Sequence, residues 1–154
     1  MMRKILALFV LFYNPNDDYQ EQLYECLKEK DALVDKQNRV RSIQVPGACI
    51  IVCYDDFPDD LMMKTIREQA DRVQPKARAL ILHKNTSVEI RAEQVRLAAK
   101  DNVLADTDIY EYSYTLSDPV YKALVDILKL GFPGARLWIG NVGRIIADFF
   151  KNLF

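Results

Sequence analysis

Two apolar runs without alternation dominate the hydrophobic pattern of this 154-residue chain. Lys4–Phe12 and Ala48–Tyr54 carry apolar side chains at nearly every position, which is typical of strands covered on both faces of a parallel sheet. A third run, Ala77–Leu82, follows a segment with helical spacing. We therefore predict a βαβ unit from Ala48 to Thr86, with a parallel pair of strands and a right-handed crossover.

A half-exposed strand precedes that unit. Val40, Ile43 and Val45 have polar neighbours, and Pro46-Gly47 is a turn signal. Too few residues separate this strand from Ala48 for a parallel crossover, so we expect an antiparallel edge strand in a mixed sheet.

Helical spacing and breakers predict the remaining elements. The helix after the central strand is expected to start near Pro58 and to bury Leu61, Met62 and Ile66. The other predicted elements are a helix ending near Lys30, a helix at Val88–Lys100, a strand at Asp108–Tyr114 and a helix from Pro119 to about Leu130. This order predicts an α/β fold, a three-layer Rossmann-like sandwich with a mixed, mostly parallel sheet.

A C-terminal amphipathic helix is predicted at residues 135–154, after a break at residues 131–134 that ends the sandwich of residues 1–130. We expect its apolar stripe to pack on the sheet within one domain of residues 1–154, with part of the stripe reserved for a protein partner. A membrane role is not expected, because its polar face has few basic residues. The partner-binding candidates are Trp138, Ile145, Phe149 and Phe150.

Composition narrows the function classes. Half of the residues are apolar, 28% are charged and the formal net charge is -1, so no basic field indicates direct binding of nucleic acid. Three cysteines, an odd number, fit a reducing nuclear or cytoplasmic compartment better than a disulfide framework. With a single histidine, we expect no metal site.

From Gly47 to Leu130 the chain resembles the second half of Ras- and Rab-type small GTPases. The run ACIIVCYDDFPDD is similar to their strand that ends in Tyr-Asp, and ALILHKNT to their strand and guanine-reading loop with Asn-Lys-x-Asp. RAEQVRLAAKDN is similar to their Glu-Ala-x-x-Leu-Ala-Lys helix, and IYEYSYT to their strand ending in Glu-Thr-Ser-Ala-Lys. The resemblance implies a small-GTPase-like fold.

The nucleotide motifs of that family are degenerate here. In place of Gly-x-x-x-x-Gly-Lys-Ser/Thr, the segment from Tyr13 to Gln20 has no glycine or lysine and carries two aspartates, although the motif works through glycine backbone N–H groups and a lysine. In the guanine loop the lysine is kept, but His83 replaces Asn and Thr86 replaces the base-pairing Asp. The degenerate positions are Asn14, Asp17, Asp18, His83, Lys84, Thr86 and Ser113.

The resemblance therefore implies a pseudo-GTPase, a non-enzymatic scaffold that binds protein partners in a hetero-complex, with no cofactor and no small-molecule substrate. The short link at Asp31–Gly47 and the run GFPGARLWIGNVGRII are similar to a small-GTPase-like kinetochore subunit. That similarity implies a role in the inner centromere complex.

Other classes remain open. Asp55-Asp56 at a strand end suits a receiver-like or nucleotide-processing domain, but His83 and Tyr114 occupy the places of its Thr or Ser and its Lys. The run FVLFYNPNDDYQEQLYECL resembles the start of a TIR domain, which would imply NAD cleavage. An immunity protein that neutralises a toxin would use the acidic face Asp55–Asp60. His83 itself is interpreted as a loop residue, because no Ser or Cys is placed as its nucleophile.

Overall fold

The computed structural model describes residues 7–13, 21–30, 39–72, 77–100, 108–113 and 117–131. In chain order, these residues form β1 (Ala7–Phe12), α1 (Glu21–Glu29), β2 (Val40–Val45), β3 (Ala48–Cys53), α2 (Asp60–Ala70), β4 (Ala77–His83), α3 (Val88–Lys100), β5 (Asp108–Tyr112) and α4 (Pro119–Leu130). The strands form one sheet in the order β2-β3-β1-β4-β5. Only β2 is antiparallel to its neighbour, which confirms the predicted mixed, mostly parallel sheet.

Alternate side chains of the central strands pack into two separate hydrophobic cores, one on each face of the sheet. On one face Phe9, Leu11 and Ile50 lie in a cluster with residues of α1 and α4. On the other face Val10 and Ile51 lie in a cluster with residues of α2 and α3. Because both faces are covered, β1 and β3 are buried at every position, which is why they read as continuous apolar runs. The result is the predicted three-layer, Rossmann-like sandwich.

The strands β3 and β4 are parallel, as predicted, but they are not neighbours. β1 lies between them, and Phe9 is opposite Ile50 on one side and Ala79 on the other. The βαβ prediction specified the direction of the two strands and not their spacing, because a crossover helix fixes the relative direction of two strands and not the number of strands that it passes. The chain turns from one side of the sheet to the other at β1 and β4, whose carboxyl ends form a topological switch point.

The hairpin β2–β3 confirms the predicted antiparallel edge strand. Its turn places Gly47 at φ 81°, and Val45 is opposite Ala48. The end of α4 lies close to this turn, since a Cβ built on Gly131 would be 2.9 Å from the Pro46 ring. Gly131 also has a positive φ of 88°. The predicted break after Leu130 therefore begins at a glycine that has little room for a side chain.

The start of α2 differs from the prediction. Asp59 is the N-cap, its side chain accepts a hydrogen bond from the backbone N–H of Met62 at 2.7 Å, and the helix begins at Asp60 rather than near Pro58. Leu61 was expected inside but is 71% exposed, whereas Met62 and its neighbour Met63 are buried. The shift follows from the capping carboxylate, which sets where the first turn begins.

Several predictions fall on parts of the chain outside the described residues. They concern the C-terminal helix at residues 135–154 with Trp138, Ile145, Phe149 and Phe150, and the loop positions Asn14, Asp17 and Asp18. The three cysteines Cys26, Cys49 and Cys53 are all described, and each is buried with a free thiol. Among the helices of the described ranges, none has the length and apolar character needed to cross a bilayer.

Candidate functional site

The carboxyl ends of the four parallel strands meet at one edge of the sheet, where open α/β sheets usually bind ligands. Tyr13 follows β1 at this edge, Asp55 and Asp56 follow β3, His83 ends β4 and Ser113 follows β5. Of the predicted degenerate positions, His83, Lys84, Thr86 and Ser113 are described, and all four lie here. We call this region the carboxyl edge.

Aromatic side chains pack beside the switch point, on the face of the sheet that α1 and α4 cover. Tyr112, on β5, is completely buried, and its hydroxyl donates a 3.1 Å hydrogen bond to the carbonyl oxygen of Phe12 on β1. Since β4 lies between these strands, the tyrosine reaches across it. Its ring stacks on that of Tyr121, at 6.2 Å between centroids, and the Tyr121 hydroxyl accepts a hydrogen bond from the N–H of Leu23 on α1. These rings therefore cover β4 on the face of the sheet that packs against α1 and α4.

A second group of side chains ties two loops together. His83 Nε2 lies 2.7 Å from Asp56 Oδ1, and the Thr86 hydroxyl lies within 2.9 Å of both ring nitrogens of His83. His83 was interpreted from the sequence as a loop residue, but it is the last residue of β4 and only 3% exposed. No local pattern marked its partner, because Asp56 is 27 positions away.

This chain of carboxylate, imidazole and hydroxyl contains the residue types of a nucleophilic triad. Its hydroxyl is nevertheless poorly placed to attack a substrate, because Thr86 is only 5% exposed. A buried, mutually bonded set of this kind braces the two loops against each other.

Gln94 on α3 belongs to the same brace and was missed by the sequence reading. Its amide Nε2 donates a 2.9 Å hydrogen bond to the carbonyl of Asp56, while its Oε1 is buried without a hydrogen-bond partner. The available signal was its spacing, because Gln94 lies three and four positions before the buried Leu97 and Ala98.

Asp118 gathers two of the predicted positions, Lys84 and Ser113. One carboxylate oxygen accepts hydrogen bonds from the N–H and the hydroxyl of Ser113, and the other accepts from the N–H groups of Val120 and Tyr121 at the start of α4. Lys84 Nζ lies 3.6 Å away. Burial alone would raise the pKa of Asp118, but the hydrogen bonds outweigh burial and hold it below the ordinary value. The carboxylate is therefore ionised and fully engaged.

Arg39, just before β2, organises the loop between β3 and α2. Its guanidinium is hydrogen-bonded to the carboxylate of Asp59, lies 3.2 Å from Asp55 and donates to the carbonyl oxygen of Phe57 at 2.6 Å. The pKa of Asp59 is lowered, first by the hydrogen bond from the Met62 N–H and then by Arg39. Sequence reasoning missed Arg39 because nothing in a loop arginine marks a partner twenty residues away.

Within the described ranges, no group of three or more His, Cys, Asp or Glu residues is placed to hold a metal ion. The acidic residues of the loop are instead engaged by Arg39, by His83 and by backbone N–H groups.

Comparisons with known proteins show a similarity of structure. No protein-family model and no curated protein matches the chain. Among solved structures, it is similar to the FeoB G-domain from Methanococcus jannaschii, with 13% sequence identity and a TM-score of 0.31. The match covers 81% of this chain and 99% of that one. The geometry of the carboxyl edge is therefore the basis for a functional proposal.

Proposed function

We propose that this protein is a non-enzymatic subunit that binds protein partners through its surface and neither binds nor hydrolyses GTP. The observation that carries the proposal is the buried Tyr112 beside the switch point, whose hydroxyl reaches across β4 to Phe12. A nucleotide at the switch point would have to displace this side chain and leave the groups that it packs against exposed.

The polar groups of the edge support the same proposal. Asp118 already accepts four hydrogen bonds, which is the capacity of a carboxylate, so it has none left for a guanine base. The Asp56–His83–Thr86 chain is likewise bonded within itself. A site that must recognise a ligand would instead keep donors and acceptors open toward it.

Thermal unfolding with GTP, GDP and ATP, each with and without Mg²⁺, tests the proposal. A ligand at 100 times its Kd would add about 2.7 kcal/mol to the free energy of unfolding. That addition would raise the Tm by several degrees, at roughly 2–4 °C per kcal/mol for a chain of this size. We expect no change and no turnover of any nucleotide. A Mg²⁺-dependent rise in Tm would contradict the proposal, as would release of bound nucleotide when the purified chain is denatured.

A more specific form of the proposal is a nuclear role in the kinetochore, as a subunit similar to centromere protein M. It is supported by the short link before the central strand and by the run GFPGARLWIGNVGRII, which resemble that protein's pattern. A fluorescently tagged full-length chain should then concentrate at centromeres and co-purify with inner centromere proteins. A uniform distribution through the cell would exclude this form while leaving the general proposal standing.

A further inference from the structure

Two large apolar side chains lie in water where the carboxyl edge meets α2. Phe57 is 65% exposed and Leu61 is 71% exposed, and they are four residues apart around the N-cap Asp59. Single exposed apolar residues are ordinary on a protein surface, but two at the start of one helix, one of them aromatic, are typical of a binding surface. We call the set Asp55, Phe57, Asp59, Asp60 and Leu61 the acidic-apolar surface.

The main chain that carries Phe57 is held in place. The Phe57 N–H donates a 2.9 Å hydrogen bond to Asp55 Oδ1, and its carbonyl oxygen accepts one of 2.6 Å from Arg39. Arg39 is also bonded to Asp59, whose other carboxylate oxygen caps α2. The ring is thus presented by an ordered backbone although it makes little contact itself. An anchor that is already ordered loses less conformational entropy when a partner binds it.

The charge around this pair is negative. Residues 55–60 include four aspartates, and Arg39 is the cation that pairs with Asp55 and Asp59. Asp56 is occupied by His83. Asp60 interacts with Arg96, but the Arg96 guanidinium is itself hydrogen-bonded to Glu93. Lys64, one turn after Asp60 on α2, is a second nearby cation, so the carboxylates of Asp55, Asp59 and Asp60 leave a small excess of negative charge beside the apolar pair.

Building on the proposed function, we propose that the acidic-apolar surface docks a basic, amphipathic segment of a protein partner. Apolar side chains of that segment would cover Phe57 and Leu61, while its Lys or Arg side chains would face Asp59 and Asp60. The negative charge disfavours the other occupants, because a second copy of the same surface, an anionic membrane and a nucleic acid would each be repelled.

Site-specific photo-crosslinking in cells that express the full chain tests this surface. We would place p-benzoylphenylalanine at position 57 and, as a matched control, at position 130, since Leu130 is 61% exposed at the end of α4. Mass spectrometry then identifies the crosslinked peptide. The expected result is a protein captured at position 57 but not at 130, through a segment with an excess of Lys and Arg that also contains apolar residues.

Binding of that purified segment to the full chain supplies the second readout. We expect Leu61→Ser to raise its Kd by about tenfold, as for an interface anchor. Asp60→Asn should weaken binding at low salt and flatten its salt dependence. Val88→Ser is the control, because Val88 is 68% exposed at the start of α3 and lies outside the acidic-apolar surface, and it should leave the Kd unchanged.

The failures of the two proposals are distinguishable. Capture at position 130 but not at 57 would overturn the docking surface while the protein-binding function stands. Capture through an acidic or uncharged segment, or a Kd that Leu61→Ser does not change, would also overturn the docking proposal. Absence of any captured protein at both positions, with the chain eluting from cells as a monomer, would overturn both.

Discussion

The hydroxyl of Tyr112 and the carbonyl oxygen of Phe12 are joined by a 3.1 Å hydrogen bond although the two residues are 100 positions apart in the chain. One lies on β5 and the other on β1, and the bond passes over β4. The bond joins β5 to β1, the central strand of the sheet, at the carboxyl edge, where open α/β sheets usually have a crevice. The same side chain therefore fills the core beneath α4 and links two strands that are not neighbours in the sheet.

Removing that hydroxyl should lower stability by a measurable amount. We expect Tyr112→Phe to reduce the free energy of unfolding by about 1 kcal/mol, because one buried hydrogen bond is lost. Tyr112→Ala should cost about 3–5 kcal/mol, since it also leaves a cavity. Urea denaturation measures both. The control is Tyr24→Phe on α1, where the ring is 39% exposed and a change within about 0.5 kcal/mol is expected. Equal effects at the two tyrosines would contradict the role of the bond.

The contribution of Asp118 should depend on pH in a defined direction. Its pKa in the folded protein lies below the ordinary value of about 3.9. The stabilisation is therefore complete above that ordinary value and is lost as the pH falls through the lowered folded pKa. We expect Asp118→Ala to cost about 1 kcal/mol at pH 7, as for other N-caps, and the difference from the unmodified protein to shrink below about pH 3.

Asp118→Asn serves as the control for this prediction. It keeps an oxygen that can cap α4 but removes the charge, so it should cost less than Asp118→Ala at pH 7. Urea denaturation at a series of pH values measures all three proteins. A difference between the unmodified protein and Asp118→Ala that is constant from pH 7 to pH 2 would contradict the assignment.

The brace between His83 and Thr86 should appear as an energetic coupling. We expect Thr86→Val, which removes the hydroxyl at similar volume, to cost about 1 kcal/mol. His83→Phe should cost more, because it leaves the Asp56 carboxylate without its imidazole partner. In the double variant the costs should fall short of their sum by about 0.5 kcal/mol or more. Strict additivity in urea denaturation would show that the two side chains do not act together.

A side chain at Gly131 should destabilise the contact between α4 and the β2–β3 hairpin. We expect Gly131→Ala to cost about 1–3 kcal/mol, because its backbone has φ 88° and its Cβ would lie 2.9 Å from the Pro46 ring. The neighbouring Lys129→Ala, in the last turn of α4, should change stability by less than about 0.5 kcal/mol. Chemical denaturation of both variants checks the comparison, and similar values would contradict it.

Local sequence patterns were sufficient for the types of element and for the fold class. The continuous runs around Phe9 and Ile50 predicted buried parallel strands, and the short turn at Pro46-Gly47 predicted the antiparallel edge. The position of β1 between β3 and β4 was not predictable in this way, because the pattern of a crossover fixes the direction of the strands only. Leu61 was misplaced for a local reason, since the cap at Asp59 rotates the first turn of α2.

The carboxyl edge was predictable as a place but not as a set of contacts. The sequence put His83, Lys84 and Ser113 at strand ends, and that is where they lie. Their partners depend on loops that meet only in the folded chain. Asp118 is hydrogen-bonded to Ser113 and ion-paired with Lys84. Arg39 is ion-paired with an aspartate of the loop between β3 and α2. Such pairings leave no periodicity in the sequence.

Because Cys49 and Cys53 are buried in the central sheet, the reactivity of their thiols measures how often this part of the sheet unfolds locally. Cys49 and Cys53 on β3 have no exposed surface and lie in the core beneath α2, and burial raises the pKa of both thiols. A thiol reagent reacts with the thiolate, so it must wait until this face separates from the helix. The rate of alkylation at Cys49 and Cys53, measured by peptide so that Cys26 on α1 is scored separately, thus reports the local unfolding of β3.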